Sequence, residues 1–327
     1  MFQNDMKIAI VGPIHEAGWE ILKSHGLEVY EVTDSSPANL KKELSTASGM
    51  VLRTAKIPNE VLDACPDLKI IARHGVGYDN VDLDYLNKKN IALGITSTAN
   101  AISVAEHVMT LFLHLTKNIL LSDRLTREGK FNEKGKLPNF FELYQKNVLI
   151  LGFGRIGQAV AKRCLGFETN VYVYDPYIKP EIIKSKGCHP ISKEEGLKIA
   201  DYISIHLPLN DQTKNFISAA EFQDMKKNCI IVNTARGGII NEGDLAIALQ
   251  SQTIAAAGLD VFEEEPPQNN HPLFSLPNTL LTPHNAALSL ECRRRMAIEA
   301  CETIVHYLKD REKLNLANLV NKENLGL

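Results

Sequence analysis

The chain has 327 residues, 44% of them hydrophobic and 23% charged, and a formal net charge of −3. That length predicts two domains, each with a sizeable core. The composition is that of an ordinary globular protein, and the slight acidity argues against a nucleic-acid footprint.

No apolar run approaches the ~18 residues that a membrane helix needs, so no membrane partner is expected. The first strand pattern begins near Lys7, which leaves no room for a signal peptide ahead of it. Six cysteines lie in mostly apolar surroundings without CxxC spacing, which predicts buried free thiols and no zinc site. The expected setting is cytoplasmic.

Lys7–Val11, Glu28–Val32, Gly49–Arg53, Lys69–Arg73 and Ile91–Ile95 read as short strands. Helical patterns separate them over 16–25, 38–46, 59–64 and 82–89. Alternation of this kind predicts a parallel sheet wound with helices. Ala101–Leu121 reads as one long apolar helix, with Asn100 or Ser103 as a possible cap. The stretch 122–145 carries mixed charge with Phe131, Phe140, Phe141 and Tyr144. It is too long for an ordinary loop and predicts an arm packed on something, such as another subunit.

Residues 147–175, NVLILGFGRIGQAVAKRCLGFETNVYVYD, carry the most information in the chain. A buried-strand pattern runs into Gly152-Phe-Gly154-Arg-Ile-Gly157, a helix pattern starts at Gln158, and a second strand ends on Asp175. Gly152 permits a tight turn, Gly154 a close approach to a pyrophosphate, and Gly157 close packing of helix on strand. The pyrophosphate would sit at the helix N-terminus, where unpaired N–H groups and the macrodipole favour an anion. Asp175 stands where a carboxylate hydrogen-bonds the adenosine ribose, and it would repel a 2′-phosphate, so NAD is expected over NADP. Strands then follow at Tyr202–His206, Cys229–Asn233, Ala255–Leu259 and Thr279–Leu281, which predicts a second doubly wound domain. Ser289–Tyr307 is a final amphipathic helix with a local basic run, Arg293–Arg295.

A nicotinamide cofactor needs a partner that moves a proton while the hydride moves. Arg236, Asp260, Glu265 and His284 all follow apparent parallel strands, at the ends where open α/β sheets bind ligands. Arginine offers a fork that matches a carboxylate, and histidine exchanges a proton near neutral pH. A carboxylate beside the histidine would favour the imidazolium. Chemistry alone does not choose among Glu263, Glu264 and Glu265.

The sequence resembles the D-isomer-specific 2-hydroxyacid dehydrogenase family, phosphoglycerate dehydrogenases and glyoxylate/hydroxypyruvate reductases among them. The blocks that carry this are HGVGYDNVD (74–82), NAISVAEH (100–107), ELYQKNVLILGFGRIG (142–157), YDPY (174–177), HLPL (206–209), VNTARGGII (232–240), GLDVFEEEPP (258–267) and TPHNAA (282–287). The resemblance implies Arg236, Glu265 and His284 as catalytic residues, with Glu265 chosen as the last acid before the proline. It implies cofactor contacts from Gly152, Gly154, Arg155, Ile156, Gly157, Asp175, His206, Pro208, Thr213, Thr234, Ala235 and Asp260, with Asp260 on the nicotinamide carboxamide. Arg53, Thr54, Val76 and Gly77, together with Arg236 and His284, are the implied substrate contacts.

The same resemblance implies a flavodoxin-like substrate domain, 1–100 plus 288–327, with a Rossmann NAD domain, 101–287, inserted in it. It also implies a homodimer through the cofactor domain. The expected activity is hydride transfer between nicotinamide C4 and the 2-carbon of a small 2-oxo or 2-hydroxy acid. Hydroxypyruvate/glyoxylate or 3-phosphoglycerate types lead, with D-lactate and sulfolactate types as alternatives. Pro283 stands before His284 where formate dehydrogenases of this fold have glutamine. The competing expectation from another class is a corepressor-like, NAD-sensing interaction protein, which long flexible tails would mark. Gly129–Asn139 lacks a clean family block, and Phe131 stands where a tryptophan is frequent. The chain length predicts no appended regulatory domain.

Overall fold

The computed structural model describes residues 6–327. They form two compact units, one made of the residues up to Asn100 together with Leu288–Leu327, the other of Ala101–Ala287. Among the described residues no helix is long and apolar enough to cross a membrane.

The first unit is built on five strands: β1 (Lys7–Val11), β2 (Glu28–Val32), β3 (Ala47–Leu52), β4 (Ile70–Arg73) and β5 (Ala92–Gly94). All pair in parallel in the order β2-β1-β3-β4-β5, the flavodoxin-like winding. Ala9 and Val11 pack into one core while Ile8 and Ile10 pack into another, so both faces of β1 are covered. Burial on both sides explains why the strands read as continuous apolar runs. The helix Leu290–Lys309 belongs to this unit and is capped by Ser289 Oγ, which accepts from Cys292 N at 3.2 Å. It packs against Glu16–Ser24 at Gly18, where a Cβ would stand 2.9 Å from Cys301 Sγ.

The second unit holds β6 (Asn147–Leu151), β7 (Asn170–Tyr174), β8 (His189–Pro190), β9 (Tyr202–Ile205), β10 (Ile230–Asn233), β11 (Ala256–Leu259) and β12 (Thr279–Leu281). The order is β12-β11-β10-β9-β6-β7-β8, all parallel. The chain winds outward from β6 to β8, then returns to β9 on the other side of β6. The crevice above β6 and β9 is therefore the topological switch point of a Rossmann sheet. Leu149 and Leu151 enter one core and Val148 and Ile150 the other, the period-two alternation of a doubly covered strand.

Three expectations are corrected. The helix expected over 101–121 breaks at Asn118, which adopts φ +48°, giving Ala101–Lys117 and Ile119–Arg127. Asparagine tolerates the left-handed region better than most residues, so apolar periodicity alone missed the break. Neither suggested cap caps the first of these helices: Ser103 Oγ donates to Ala286 O at 2.7 Å, and Asn100 Oδ1 has no partner. The helix expected from Gln158 begins at Arg155, with Gly154 as its N-cap, so Gly157 lies within its first turn.

A Cβ on Gly157 would stand 2.1 Å from the Gly152 carbonyl oxygen, and backbone has no rotamer with which to yield. Gly157→Ala is expected to destabilise the 101–287 unit by about 1–3 kcal/mol through overpacking. Scanning calorimetry of the full chain would read this as a lowered transition, and an unchanged transition would contradict the account.

Candidate functional site

The glycine loop follows from what surrounds each glycine. Gly152 has φ +95°, and a Cβ there would meet the His206 carbonyl oxygen at 2.7 Å, so only glycine joins β6 to the helix beside the end of β9. Among the described residues, nothing beyond the adjoining chain lies within 4 Å of an ideal Cβ on Gly154, so the helix entrance is open on that side. Gln158 N bonds Gly154 O at 2.9 Å as the first helical turn, which leaves the amides of Arg155, Ile156 and Gly157 without intrahelical acceptors. Asp175 Oδ2 accepts from Phe153 N at 2.7 Å and Oδ1 from Tyr177 N at 2.9 Å. Its carboxylate thus borders the loop and retains lone pairs for hydroxyl donors.

Other expected cofactor residues line the same strand ends. Nε2 of His206 lies 2.7 Å from Ser204 Oγ, and burial pushes the His206 imidazole down to about 3, so it is neutral. Thr213 Oγ1 donates to Pro208 O and closes the 208–213 loop on itself. Ala235 N donates to Asn233 Oδ1 at 2.9 Å. Thr234, after β10, is 8% exposed and its Oγ1 has no partner. An unmatched buried hydroxyl costs about 1–3 kcal/mol, and a bound polar group would repay it. The open helix entrance, the Asp175 carboxylate and the Thr234 hydroxyl together fit a dinucleotide.

Three neighbouring strand ends carry the residues expected to be catalytic. Arg236 follows β10, Glu265 follows β11 and His284 follows β12. Glu265 Oε2 lies 2.7 Å from His284 Nδ1, and Glu265 Oε1 accepts from Phe262 N at 3.1 Å. Of the three consecutive acids, Glu265 is the one that the turn delivers to the imidazole. The hydrogen bond that the ring donates to Glu265 raises the His284 pKa above the ordinary histidine value, against partial desolvation that lowers it. Burial pushes the Glu265 carboxyl upward, but the His284 bond, the Phe262 amide and the nearby Arg236 charge outweigh it and the net shift is downward. The contact therefore favours the carboxylate form of Glu265 and the imidazolium form of His284.

His284 has φ +49°, a left-handed conformation that costs energy for a residue other than glycine. Asp260 accounts for how it is held. The side chain is fully buried; Oδ1 accepts from Thr282 Oγ1 at 2.5 Å and Asn285 N at 2.9 Å, and Oδ2 accepts from Ala286 N at 2.9 Å. Because the single Thr282 hydroxyl proton goes to Asp260, the 3.0 Å contact from His107 Nε2 to Thr282 Oγ1 is a donation by the ring. Asp260 was expected on the nicotinamide carboxamide; in the structure its oxygens first hold the segment that carries His284.

The Arg236 turn is locked as tightly. Asn233 Nδ2 donates to Arg236 O at 2.8 Å, and Arg236 Nη1 to Ala235 O at 2.7 Å. A Cβ on Gly237 would stand 1.9 Å from Phe262 O, so no residue with a side chain fits there. The glycine allows the Arg236 turn to lie against the turn that carries Glu265. Asn233, Thr282 and His107 were not singled out from sequence; the only trace of Asn233 is a polar residue closing an apolar strand.

The remaining expected contacts belong to the first unit. Arg53 and exposed Thr54 follow β3, and Val76 and Gly77 sit in the loop after β4. Arg73, also missed from sequence, shapes that loop: its Nε donates to Gly77 O at 2.8 Å and its Nη1 to Leu52 O at 2.7 Å. With the Gly77 carbonyl turned to Arg73, the amides at 76 and 77 are free of strand pairing. His74 beneath them is buried and pushed down to about 4, first by desolvation and further by the charges of Arg53 and Arg73.

Residues 109–286 match the family model for the NAD binding domain of D-isomer specific 2-hydroxyacid dehydrogenases. The chain is 36% identical over 319 residues to D-3-phosphoglycerate dehydrogenase of Archaeoglobus fulgidus, covering 97% of this chain and 60% of that protein. It is 35% identical over 320 residues to glyoxylate reductase of Thermococcus litoralis, covering 95% and 96%. A solved glyoxylate reductase from Paecilomyes thermophila superposes with a TM-score of 0.87 at 26% identity, covering 98% of this chain and all of that one. The chain thus spans about 60% of the length of the phosphoglycerate dehydrogenase and nearly the whole of the reductases. With the doubly wound sheets and the glycine loop, these matches establish that the chain belongs to the D-isomer specific 2-hydroxyacid dehydrogenase family.

Proposed function

We propose that this chain is an NAD-dependent oxidoreductase of a small 2-hydroxy acid, with the unit 101–287 holding the cofactor and the other unit contributing substrate contacts. The observation that carries the reading is the 2.7 Å contact between Glu265 and His284, beside Arg236 at the ends of adjacent strands. NAD, when bound, supplies the hydride acceptor or donor. Arg236 binds the substrate carboxylate and polarises the 2-oxo group, since its fork satisfies both oxygens of a carboxylate. His284, as imidazolium, gives its proton to the carbonyl oxygen in reduction and takes it back in oxidation. Glu265 keeps that proton in place by favouring the charged ring.

Gly152, Gly154, Arg155, Ile156 and Gly157 receive the pyrophosphate, and Asp175 the adenosine ribose. His206, Pro208, Thr213, Thr234, Ala235 and Asp260 complete the cofactor contacts. Arg53, Thr54, Val76 and Gly77 are the further substrate contacts, supported by the loop amides that Arg73 arranges. The names of the relatives favour glyoxylate/hydroxypyruvate or 3-phosphoglycerate as the substrate type. A homodimer through the cofactor unit is part of the same reading. It is supported by Ile119, Leu120, Phe131, Phe140, Phe141 and Tyr144, all exposed on one segment of that unit. Light scattering should then give the mass of two chains, and the mass of one would contradict it. Six free buried cysteines support a reducing, cytoplasmic setting.

Asp175 should make NAD the better cofactor. Asp175→Ala removes a charged hydrogen bond of about 1.5–3 kcal/mol and the repulsion of a 2′-phosphate, so the kcat/KM gap between NAD and NADP narrows about ten- to hundredfold. Equal use of both cofactors by the unmodified chain would contradict the assignment.

Arg236→Lys keeps the charge but loses the fork. A loss of roughly 2–5 kcal/mol in transition-state binding is expected, on the scale of broken buried charge pairs. Near-parent kcat/KM in the lysine variant would place the carboxylate elsewhere.

His284→Ala should lose about 10²–10⁴-fold in kcat while still binding NADH. For Glu265→Gln the sign follows from the raised His284 pKa. Removing its cause lowers that pKa, so the acid form is lost earlier as pH rises. The basic limb of the reduction profile therefore moves to lower pH; an unmoved limb would remove Glu265 from this role.

A further inference from the structure

Glu242 opens the helix Glu242–Gln250, yet its side chain is only 9% exposed. Its Oε1 accepts from Glu263 N at 2.7 Å, and its Oε2 lies 2.8 Å from His271 Nε2. The His271 ring meets Phe262 edge-on at 5.7 Å and also touches Phe274. His271 Nδ1 accepts from Leu273 N at 3.4 Å. With Nδ1 an acceptor, the proton sits on Nε2 and is donated to Glu242. A buried carboxylate is costly unless paired, and replacing such a pair by apolar residues is frequently no loss to stability, so stability alone does not explain it.

What its partners share is the segment that carries Glu265. Glu242 holds Glu263 N, and His271 packs on Phe262, whose own amide donates to Glu265 Oε1. The backbone of the same two residues is what Gly237 lies against. We propose that Glu242 and His271 are a positioning pair that fixes the 262–265 turn and so holds Glu265 on His284. This rests on the acid/base reading of Glu265 and His284 given above. The charged groups around His284 are Glu265, Asp260 and Arg236, and those around Glu265 are His284 and Arg236. Glu263 and Glu264 share a cavity of about 310 Å³ with Glu242 and His271, and neither reaches His284 in the hydrogen-bond network described.

The test is an NMR titration of the histidine rings in the full chain, with NADH affinity measured by fluorescence in parallel. In Glu242→Ala and His271→Ala the titration midpoint of His284 falls toward the ordinary histidine value. The reduction rate above that midpoint drops about three- to tenfold, since one pH unit is tenfold in protonated fraction. The NADH dissociation constant stays within about twofold of the parent, and His271→Gln, which keeps a donor facing Glu242, restores most of the midpoint. A folded alanine variant at either position with an unmoved His284 midpoint overturns the proposal. If the alanine variants fail to fold, the isosteric Glu242→Gln decides. It turns an NH₂ group toward one of the two N–H donors, so the midpoint falls by less in the same direction, and no fall is again a refutation. Glu265→Gln separates the two levels. If it leaves the His284 midpoint unmoved, the acid/base reading fails; if it alone moves the midpoint, only the positioning role fails.

Discussion

The fully buried carboxylate of Asp260 is the constraint on which the site depends. It accepts one hydroxyl and two amide protons, all from the segment 282–286, and so welds the end of β11 to the residues around His284. Each of those donors left unmatched in the interior would cost about 1–3 kcal/mol, enough together to offset the left-handed conformation of His284, which costs of order 1–3 kcal/mol. The His107 ring, reaching Thr282 from the helix Ala101–Lys117, extends the bracing across one face of the sheet. Because Asp260 fixes where His284 starts, the short contact to Glu265 needs only the neighbouring turn to be in place.

That turn shows how a parallel sheet builds a site from distant segments. The loops after β10, β11 and β12 are neighbours because the strands are, and Gly237 removes the one Cβ that would hold the first two apart. Electrostatics follow from the packing. Glu265 is pulled below and His284 pushed above their ordinary values by the same 2.7 Å contact, which stabilises the charged ring that the proposed proton transfer calls for. Arg236 opposes part of the rise at His284, as a cation must.

Much of this was legible in the sequence, for physical reasons. Strands buried on both faces read as unbroken apolar runs, and the spacing from Gly152 to Asp175 reflects one helix and one strand of fixed length. Arg236, Glu265 and His284 could be placed at strand ends, but the choice of Glu265 over Glu263 and Glu264 came from family resemblance. Three-dimensional direction, which no spacing rule supplies, makes the same choice by geometry. What stayed hidden has one character: Asn233, Thr282, His107, Glu242, His271 and Arg73 act through one or two hydrogen bonds to backbone, to each other or, for Thr282, to the Asp260 carboxylate. A polar residue in a strand end or helix start looks alike whether it faces water or a buried carboxylate. The break at Asn118 was hidden because an apolar period continues across a residue whose φ, and not its hydropathy, decides the helix.

The central claim is that Arg236, Glu265 and His284 form a site for a carbonyl next to a free carboxylate. Its most direct test is NADH oxidation by the full chain across a panel of small 2-oxo acids and their amides. The account predicts turnover of one or more of the acids, glyoxylate, hydroxypyruvate or its phosphorylated analogue foremost, and at least about a hundredfold lower kcat/KM for the matching amide, the scale of a lost charged pair. No turnover of any 2-oxo acid, or equal turnover of acid and amide, would contradict it.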